Sequence, residues 1–188
     1  MRLKEQIMAL IPPKSHVLDL GCGNGELLKT LMSEKKAQGY GIEIDRENVI
    51  ACIKQGISVY HGDIAEALSR FPDKSFDIVV LSQTLQQVQD PLEVVSEMLR
   101  VGKKAIVTFP NFAHWKNRVA LFFGFVPKNR ALPYRWFDTP NIRVVSIKSF
   151  QQICAEKNIT ILHEVRAVPS LFSNLFTETG MFVIQKNG

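Results

Sequence analysis

Cysteine is scarce in this 188-residue chain: three residues, Cys22, Cys52 and Cys154, an odd number with no C-x-x-C spacing. That pattern argues against a disulfide framework and supplies no metal-ligand set, so the chain is read as a reduced, cytoplasmic protein with free thiols and no metal. No apolar run approaches the roughly 20 residues that cross a bilayer. The N-terminal stretch Ile7–Ile11 stops at Pro12-Pro13, too short for the apolar core of a secretory signal. Repeats, low-complexity tracts and flexible linkers are missing too. Residues 1–188 are therefore read as one domain. Acid is nearly missing from Asn111–Ile147, which holds Lys116, Arg118, Lys128, Arg130, Arg135 and Arg143 against Asp138 alone. That imbalance equals the whole formal net charge of +5.

What the chain does have is alternation. Apolar runs at Val17–Leu20, Gly39–Ile44, Ser58–Tyr60, Phe76–Leu81 and Ala105–Phe109 read as strands. Amphipathic stretches at Glu26–Lys35, Arg46–Lys54, Ile64–Ser69 and Pro91–Arg100 read as helices between them. Asp90, Pro91 and Glu93 punctuate the start of the last helix, and Gly102 is expected to close it in a left-handed conformation. Such alternation implies a parallel sheet with right-handed crossovers. After Phe109 the pattern breaks up around Pro127, Pro133 and Pro140. A helix follows near Lys148–Lys157, with Phe150, Ile153 and Cys154 on one face. Thr160–Val168 and Gly180–Lys186 are expected to pair as an antiparallel edge, giving an α/β, Rossmann-like fold with a mostly parallel sheet.

The densest signal is Val17-Leu18-Asp19-Leu20-Gly21-Cys22-Gly23-Asn24-Gly25: a strand, a turn with three alternating glycines, then a helix start. Glycine lets backbone approach a ligand with no Cβ in the way, and a helix start offers free N–H groups. Glu43 ends the second strand about 20 residues later, where an acid can accept from ribose hydroxyls. Asp63 ends the third strand, and Ser82 and Gln83 follow the fourth. In an open parallel sheet, ligands bind at that edge. The glycine spacing differs from G-x-G-x-x-G, and no glycine followed by Lys-Ser or Lys-Thr closes the turn, which argues against a triphosphate loop. Each residue also has a structural reading: Asp45 and Asp63 as helix caps, and Cys22 as a small filler of a tight turn.

These three stretches, Leu18–Gly25, Gly41–Asp45 and Gly62–Ile64, resemble in order and spacing the motifs of class I S-adenosylmethionine-dependent methyltransferases. The resemblance covers about Val17 to Phe109 and implies a class I methyltransferase fold and an S-adenosylmethionine (or S-adenosylhomocysteine) site. Asp19 would face the cofactor's ammonium. Gly21, Cys22 and Gly23 would lie against its methionine part. Glu43, followed by Ile44, would hold the ribose hydroxyls. Asp63 would accept from the adenine amino group, with Ile64 near the ring. Ser82 and Gln83 would line the methionine end. The residues identify no catalytic base: Gln86-Gln87 stand where many small-molecule methyltransferases carry histidines, and neither an Asn-Pro-Pro-Tyr motif nor a Pro-Cys nucleophile occurs. Methyl transfer from an activated sulfonium depends mainly on positioning, so catalysis remains open.

Segment Asn111–Ile147 holds eight of the 17 aromatic residues and both tryptophans. It is read as an insert serving as a lid, a protein interface, a nucleic-acid surface or simply a packed cover. His114, just past the fifth strand, is a candidate substrate contact. The strings Pro133–Arg143, Leu81–Gln86, Met98–Lys103 and Phe109–Trp115 resemble the methionine biosynthesis protein MetW family over nearly the full length. That resemblance implies a role beside a homoserine O-acetyltransferase or O-succinyltransferase, supporting acylation of homoserine, with Trp115, Tyr134 and Trp136 as candidate interface anchors. It also suggests that the bound cofactor reports methionine status to the partner. The alternative is a methyltransferase acting on a small molecule or a protein, with RNA a weaker third.

Overall fold

A computed structural model describes residues 2–165 and 169–187. Residues 166–168, the end of the expected strand Thr160–Val168, lie outside the described residues, as do Met1 and Gly188. The chain divides into two compact units: unit 1 is Met1–Ser82 with Asp90–Ile106, and unit 2 is Gln83–Gln89 with Val107–Gly188.

Unit 1 follows the alternation. α1 (Leu3–Leu10) precedes β1 (His16–Leu20), α2 (Glu26–Lys35), β2 (Gln38–Glu43), α3 (Arg46–Lys54), β3 (Ser58–His61), α4 (Ile64–Leu68), β4 (Phe76–Ser82) and α5 (Pro91–Val101). β1 pairs in parallel with both β2 and β4, and β2 with β3. β1 shows the pattern of a strand covered on both faces, Val17, Leu18 and Leu20 being fully buried, as are Leu28 and Leu31 of α2. Asp90 caps α5 by accepting from the N–H groups of Leu92 and Glu93, with Pro91 in the first turn.

The expectation for Gly102 is corrected. It has φ −102° and ψ 152° and begins β5 (Gly102–Pro110) directly, with no left-handed cap. Glycine is required there for room: a Cβ would sit 2.6 Å from Val79 Cγ2 and 3.0 Å from the carbonyl oxygens of Met98 and Lys104.

Unit 2 contains the end of β5, α6 (Trp115–Phe122), α7 (Ile147–Glu156), β6 (Ile159–Glu164), α8 (Ser170–Phe176) and β7 (Thr179–Lys186). β6 and β7 are antiparallel, as expected of the C-terminal edge. Phe109, Phe150 and Phe182 form its aromatic core, with ring centroids 4.9–5.9 Å apart. The sheet has seven strands in the order β3-β2-β1-β4-β5-β7-β6, mostly parallel with the antiparallel C-terminal pair.

Between α6 and α7 no regular element forms; main-chain bonds such as those of Ile142 and Arg143 to the Gln86 carbonyl, and side chains in and before the segment, hold it. Buried Asn111 accepts from the Ala113 N–H and donates to the carbonyls of Asn174 and Thr177 at 2.9 and 2.8 Å. Asn117 Nδ2 donates to the carbonyls of Asn111 and Phe112. Its Oδ1 accepts from Asn129, whose own Oδ1 takes the N–H groups of Ala131 and Leu132.

Candidate functional site

The parallel strands of unit 1 end on one edge, and its candidate residues sit there. β1 runs into the turn at Gly21, Gly23 and Gly25, with φ of 69°, 55° and 79°. These left-handed values favour glycine. The N–H groups of Gly21 and Cys22 both donate to the Ile42 carbonyl, at 2.8 and 3.1 Å, tying the turn to β2. At Gly25 a Cβ would lie 2.4 Å from Ile57 Cδ1 and 2.9 Å from Cys52 Sγ. This position therefore demands glycine for conformation and for space.

Buried Glu43 fastens the edge together. Its Oε2 accepts from the Gly23 N–H at 2.7 Å, and its Oε1 accepts from the N–H groups of Ile44 and Asp45, each at 2.9 Å. An ionised carboxylate offers about four lone-pair sites. Three are filled here, leaving room for about one further donor. Asp19 lies one residue before the end of β1 and is 3% exposed. No hydrogen bond or ion pair holds its carboxylate among the described residues. Burial, and secondarily the like charge of Glu43, push the Asp19 carboxyl up to about 7. A cation brought beside it would favour the ionised form. Two carboxylates and a backbone turn on one sheet edge suit a ligand carrying an ammonium and hydroxyls.

Asp63 and Asp45 behave as their capping readings anticipate. Asp63 is the exposed N-cap of α4, its Oδ1 accepting from the Ala65 N–H at 2.8 Å. Asp45 caps α3 through Asn48. Ile44, 67% exposed just past the end of β2, and half-buried Ile64, the first residue of α4 after β3, offer apolar surface there. Cys22 fills space: a Cβ on Gly41 would come within 2.5 Å of its Sγ. Burial raises the Cys22 thiol far above its ordinary range.

Two supports escaped the sequence reading. Cys52, on the buried face of α3, donates from Sγ to the Gly23 carbonyl at 3.2 Å and lies 3.9 Å from Cys22 Sγ. Gln55 donates from Nε2 to the Asn24 carbonyl at 2.7 Å. Cys52 stands three residues after buried Val49, which marks it as an inward position, but nothing in that spacing says what it touches.

Ser82 is the last residue of β4 and half-buried. Gln83, in unit 2, has φ 57°, an uncommon conformation for a residue with a Cβ. Its N–H faces the Thr108 carbonyl and Oγ1, and its Nε2 donates to the same Oγ1. His114 is the buried N-cap of α6; its Nδ1 accepts from the Lys116 N–H at 3.4 Å, and burial lowers its pKa. The ring is therefore committed first to the helix end. Trp115, Tyr134 and Trp136 are exposed, Trp136 by 73%.

A family model described as "Methionine biosynthesis protein MetW" matches residues 3–184. The "Bifunctional methionine biosynthesis protein MetXA/MetW" of Rhodopirellula baltica is 38% identical over 172 residues, covering 86% of this chain. This chain spans 28% of that relative's length. A crystal structure of a SAM-dependent methyltransferase from Archaeoglobus fulgidus matches with a TM-score of 0.67 at 19% identity, covering 97% of this chain and 94% of that one. One from Mesorhizobium loti matches with a TM-score of 0.72 at 13% identity, covering 97% and 96%. These likenesses show the Rossmann-like methyltransferase fold.

Proposed function

We propose, on the premise that this chain belongs to the MetW family of methionine biosynthesis proteins, that it binds S-adenosylmethionine through unit 1 and supports a homoserine O-acyltransferase in acylating homoserine. The observation that carries the cofactor reading is Asp19: a buried carboxyl, pushed up to about 7, with no cation of its own beside it. A ligand bringing an ammonium answers that deficit. Glu43, with about one lone-pair site to spare, would take a ribose hydroxyl and hold the glycine turn against the ligand. The second Asp63 oxygen would accept from the adenine amino group, with Ile44 and Ile64 as apolar neighbours. When bound, the cofactor supplies an activated methyl on a sulfonium.

Asp19 also sets a pH dependence. Docking an ammonium favours its ionised form, so below about pH 7 binding must release a proton, and affinity falls as pH falls. Calorimetry with S-adenosylhomocysteine at pH 6 and pH 8 tests this. Tighter binding at pH 8, lost in Asp19→Asn, supports the reading; pH-independent binding or none removes it.

The partner reading is supported by the Rhodopirellula baltica relative, whose name joins MetXA and MetW in one chain, and by the exposed aromatics of unit 2. If the cofactor reports methionine status, its affinity must differ between the free protein and the complex. Co-purification with the acyltransferase, then acylation assays with and without S-adenosylmethionine, tests both points. Acceptor-dependent transfer of label from radiolabelled cofactor in a cell extract would instead favour the methyltransferase reading. A cytoplasmic setting accords with the three free, buried thiols. Among the described residues no helix is long and apolar enough to cross a membrane.

A further inference from the structure

Unit 2 contains a cavity of about 350 Å³, built wholly from its own residues. That volume lies in the range of small-molecule sites. Three aromatic side chains, Phe112, Tyr134 and Trp136, contribute to its wall. Five polar side chains also line it, Gln86, Arg135, Thr139, Asn141 and Arg143, and Thr139 Oγ1 already accepts from the Asn141 N–H. Their hydrogen bonding indicates what the cavity would accept.

Gln86 is 4% exposed. Its backbone carbonyl accepts from the N–H groups of Ile142 and Arg143, both at 3.0 Å, so the residue is anchored to the cavity's own wall. Its Nε2 donates to the Gln83 carbonyl at 2.7 Å. An amide that donates at one end is fixed in orientation, and the other end, Oε1, is buried with no hydrogen-bond partner. A buried acceptor left unmade is costly unless a donor arrives. Arg143 is held in place by donating to the carbonyls of Ile142 and Gln89, at 3.0 and 2.9 Å. The Arg135 guanidinium lies 5.7 Å from the Phe137 ring centroid. Neither guanidinium makes an ion pair among the described residues. Asp138, the one acid of the segment, has its Oδ1 taken by the Arg135 backbone N–H at 2.6 Å.

We infer that this cavity is a binding site for a small organic carboxylate with an apolar body and a hydroxyl or amine donor. The apolar body packs on Phe112, Tyr134 and Trp136. The carboxylate pairs with the guanidinium groups, which present planar forks suited to it. The hydroxyl or amine gives its hydrogen to Gln86 Oε1, which is closed to solvent in the unliganded protein and opens to the cavity as the ligand enters. The inference goes beyond the cofactor reading and does not depend on it, because no residue of unit 1 takes part.

The test uses the full-length chain and three matched probes followed by saturation-transfer NMR and calorimetry. These are 2-hydroxy-3-phenylpropanoate, 3-phenylpropanoate (no hydroxyl) and 3-phenylpropane-1,2-diol (no carboxylate). The hydroxy acid should bind at least about tenfold more tightly than either of the others, because a site built to bond a donor rejects an analogue lacking it. Gln86→Leu should erase the preference over 3-phenylpropanoate, and Arg135→Gln should reduce the preference over the diol. Arg135 is exposed, so its variant keeps the test valid if Gln86→Leu fails to fold. Three results would overturn the inference: no saturation transfer from the hydroxy acid at millimolar concentration, equal binding of all three probes, or preferences unchanged in well-folded variants.

Discussion

The glycine turn of unit 1 and the aromatic segment of unit 2 are both irregular backbone, but one is held at nearly every residue and the other at a few points. The turn is held by close packing and closely spaced hydrogen bonds: Gly25 under Ile57 and Cys52, Gly21 and Cys22 on the Ile42 carbonyl, the Glu43 carboxylate on three amides. The segment between α6 and α7 is held at a few scattered points: Asn129 bonds to Asn117 and takes the N–H groups of Ala131 and Leu132, and the N–H groups of Ile142 and Arg143 donate to the Gln86 carbonyl, while its aromatics are exposed. A packed turn has little tolerance at any atom. A segment pinned at a few points leaves the side chains between the pins free for contact with something else. The contrast teaches that sensitivity to substitution should separate sharply between the two regions.

The largest effect should come from Gly25→Ala. A left-handed residue and a Cβ at 2.4 Å from Ile57 together predict a loss of about 3 kcal/mol in urea unfolding. Gly124→Ala, equally left-handed at φ 79° but with nothing within 4 Å, should lose only about 1 kcal/mol. Equal losses would erase the distinction between packed and pinned.

Asp19→Asn should move stability in the other direction. The carboxyl ionises near its ordinary 3.8 when unfolded and near 7 when folded, so the native state keeps the proton between those values. Stability of the unliganded protein therefore falls as pH rises from about 4 to about 7 and levels off above. The asparagine variant should lose that slope and gain on the order of 2 kcal/mol at pH 8 in denaturant titrations, while its affinity for S-adenosylhomocysteine drops.

Smaller still is the effect of Trp136→Ala, expected to weaken the acyltransferase complex by more than ~1 kcal/mol while leaving the melting temperature nearly unchanged. Because Trp136 also lines the unit 2 cavity, Trp115→Ala serves as the cavity-independent comparison in the same pull-down. The least effect on stability should come from Phe122→Ser. This side chain is 85% exposed, so unfolding free energy should change by less than about 0.5 kcal/mol. A large loss would mean that the outward aromatics are structural after all.

Unit 1 was readable because its elements repeat with simple periods. α2 and α3 fall on the expected boundaries, and the strands differ from theirs by one to three residues at their ends. Gly102 was misread because a glycine after a helix signals a left-handed cap in sequence, whereas here the crowding of Val79 and Met98 sets the requirement. α1, α6 and α8 went unread: each is seven or eight residues long and starts after Arg2, His114 or Pro169 rather than a Ser, Thr, Asp or Asn cap, whereas the shorter α4 is marked by Asp63. At the candidate site, Glu43 was singled out by its place at a strand end, and Asp19 only through the resemblance of Leu18–Gly25 to the methyltransferase motif. Cys52 and Gln55 were not, since their role depends on where α3 sets them against the turn. The unit 2 cavity was invisible for the same reason: its wall combines Gln86 with residues some 50 positions away.

The symmetry of the Glu43 carboxylate has a consequence for chemically mild replacement. Its two oxygens face donors on both sides, the Gly23 amide on one and the Ile44 and Asp45 amides on the other. Glutamine has the same shape but only one such oxygen, so its NH2 would have to point at an amide that is itself a donor. Glu43→Gln would thus unfasten one flank of the edge while changing almost no volume, and deuterium uptake at those three amides would reveal which flank had let go.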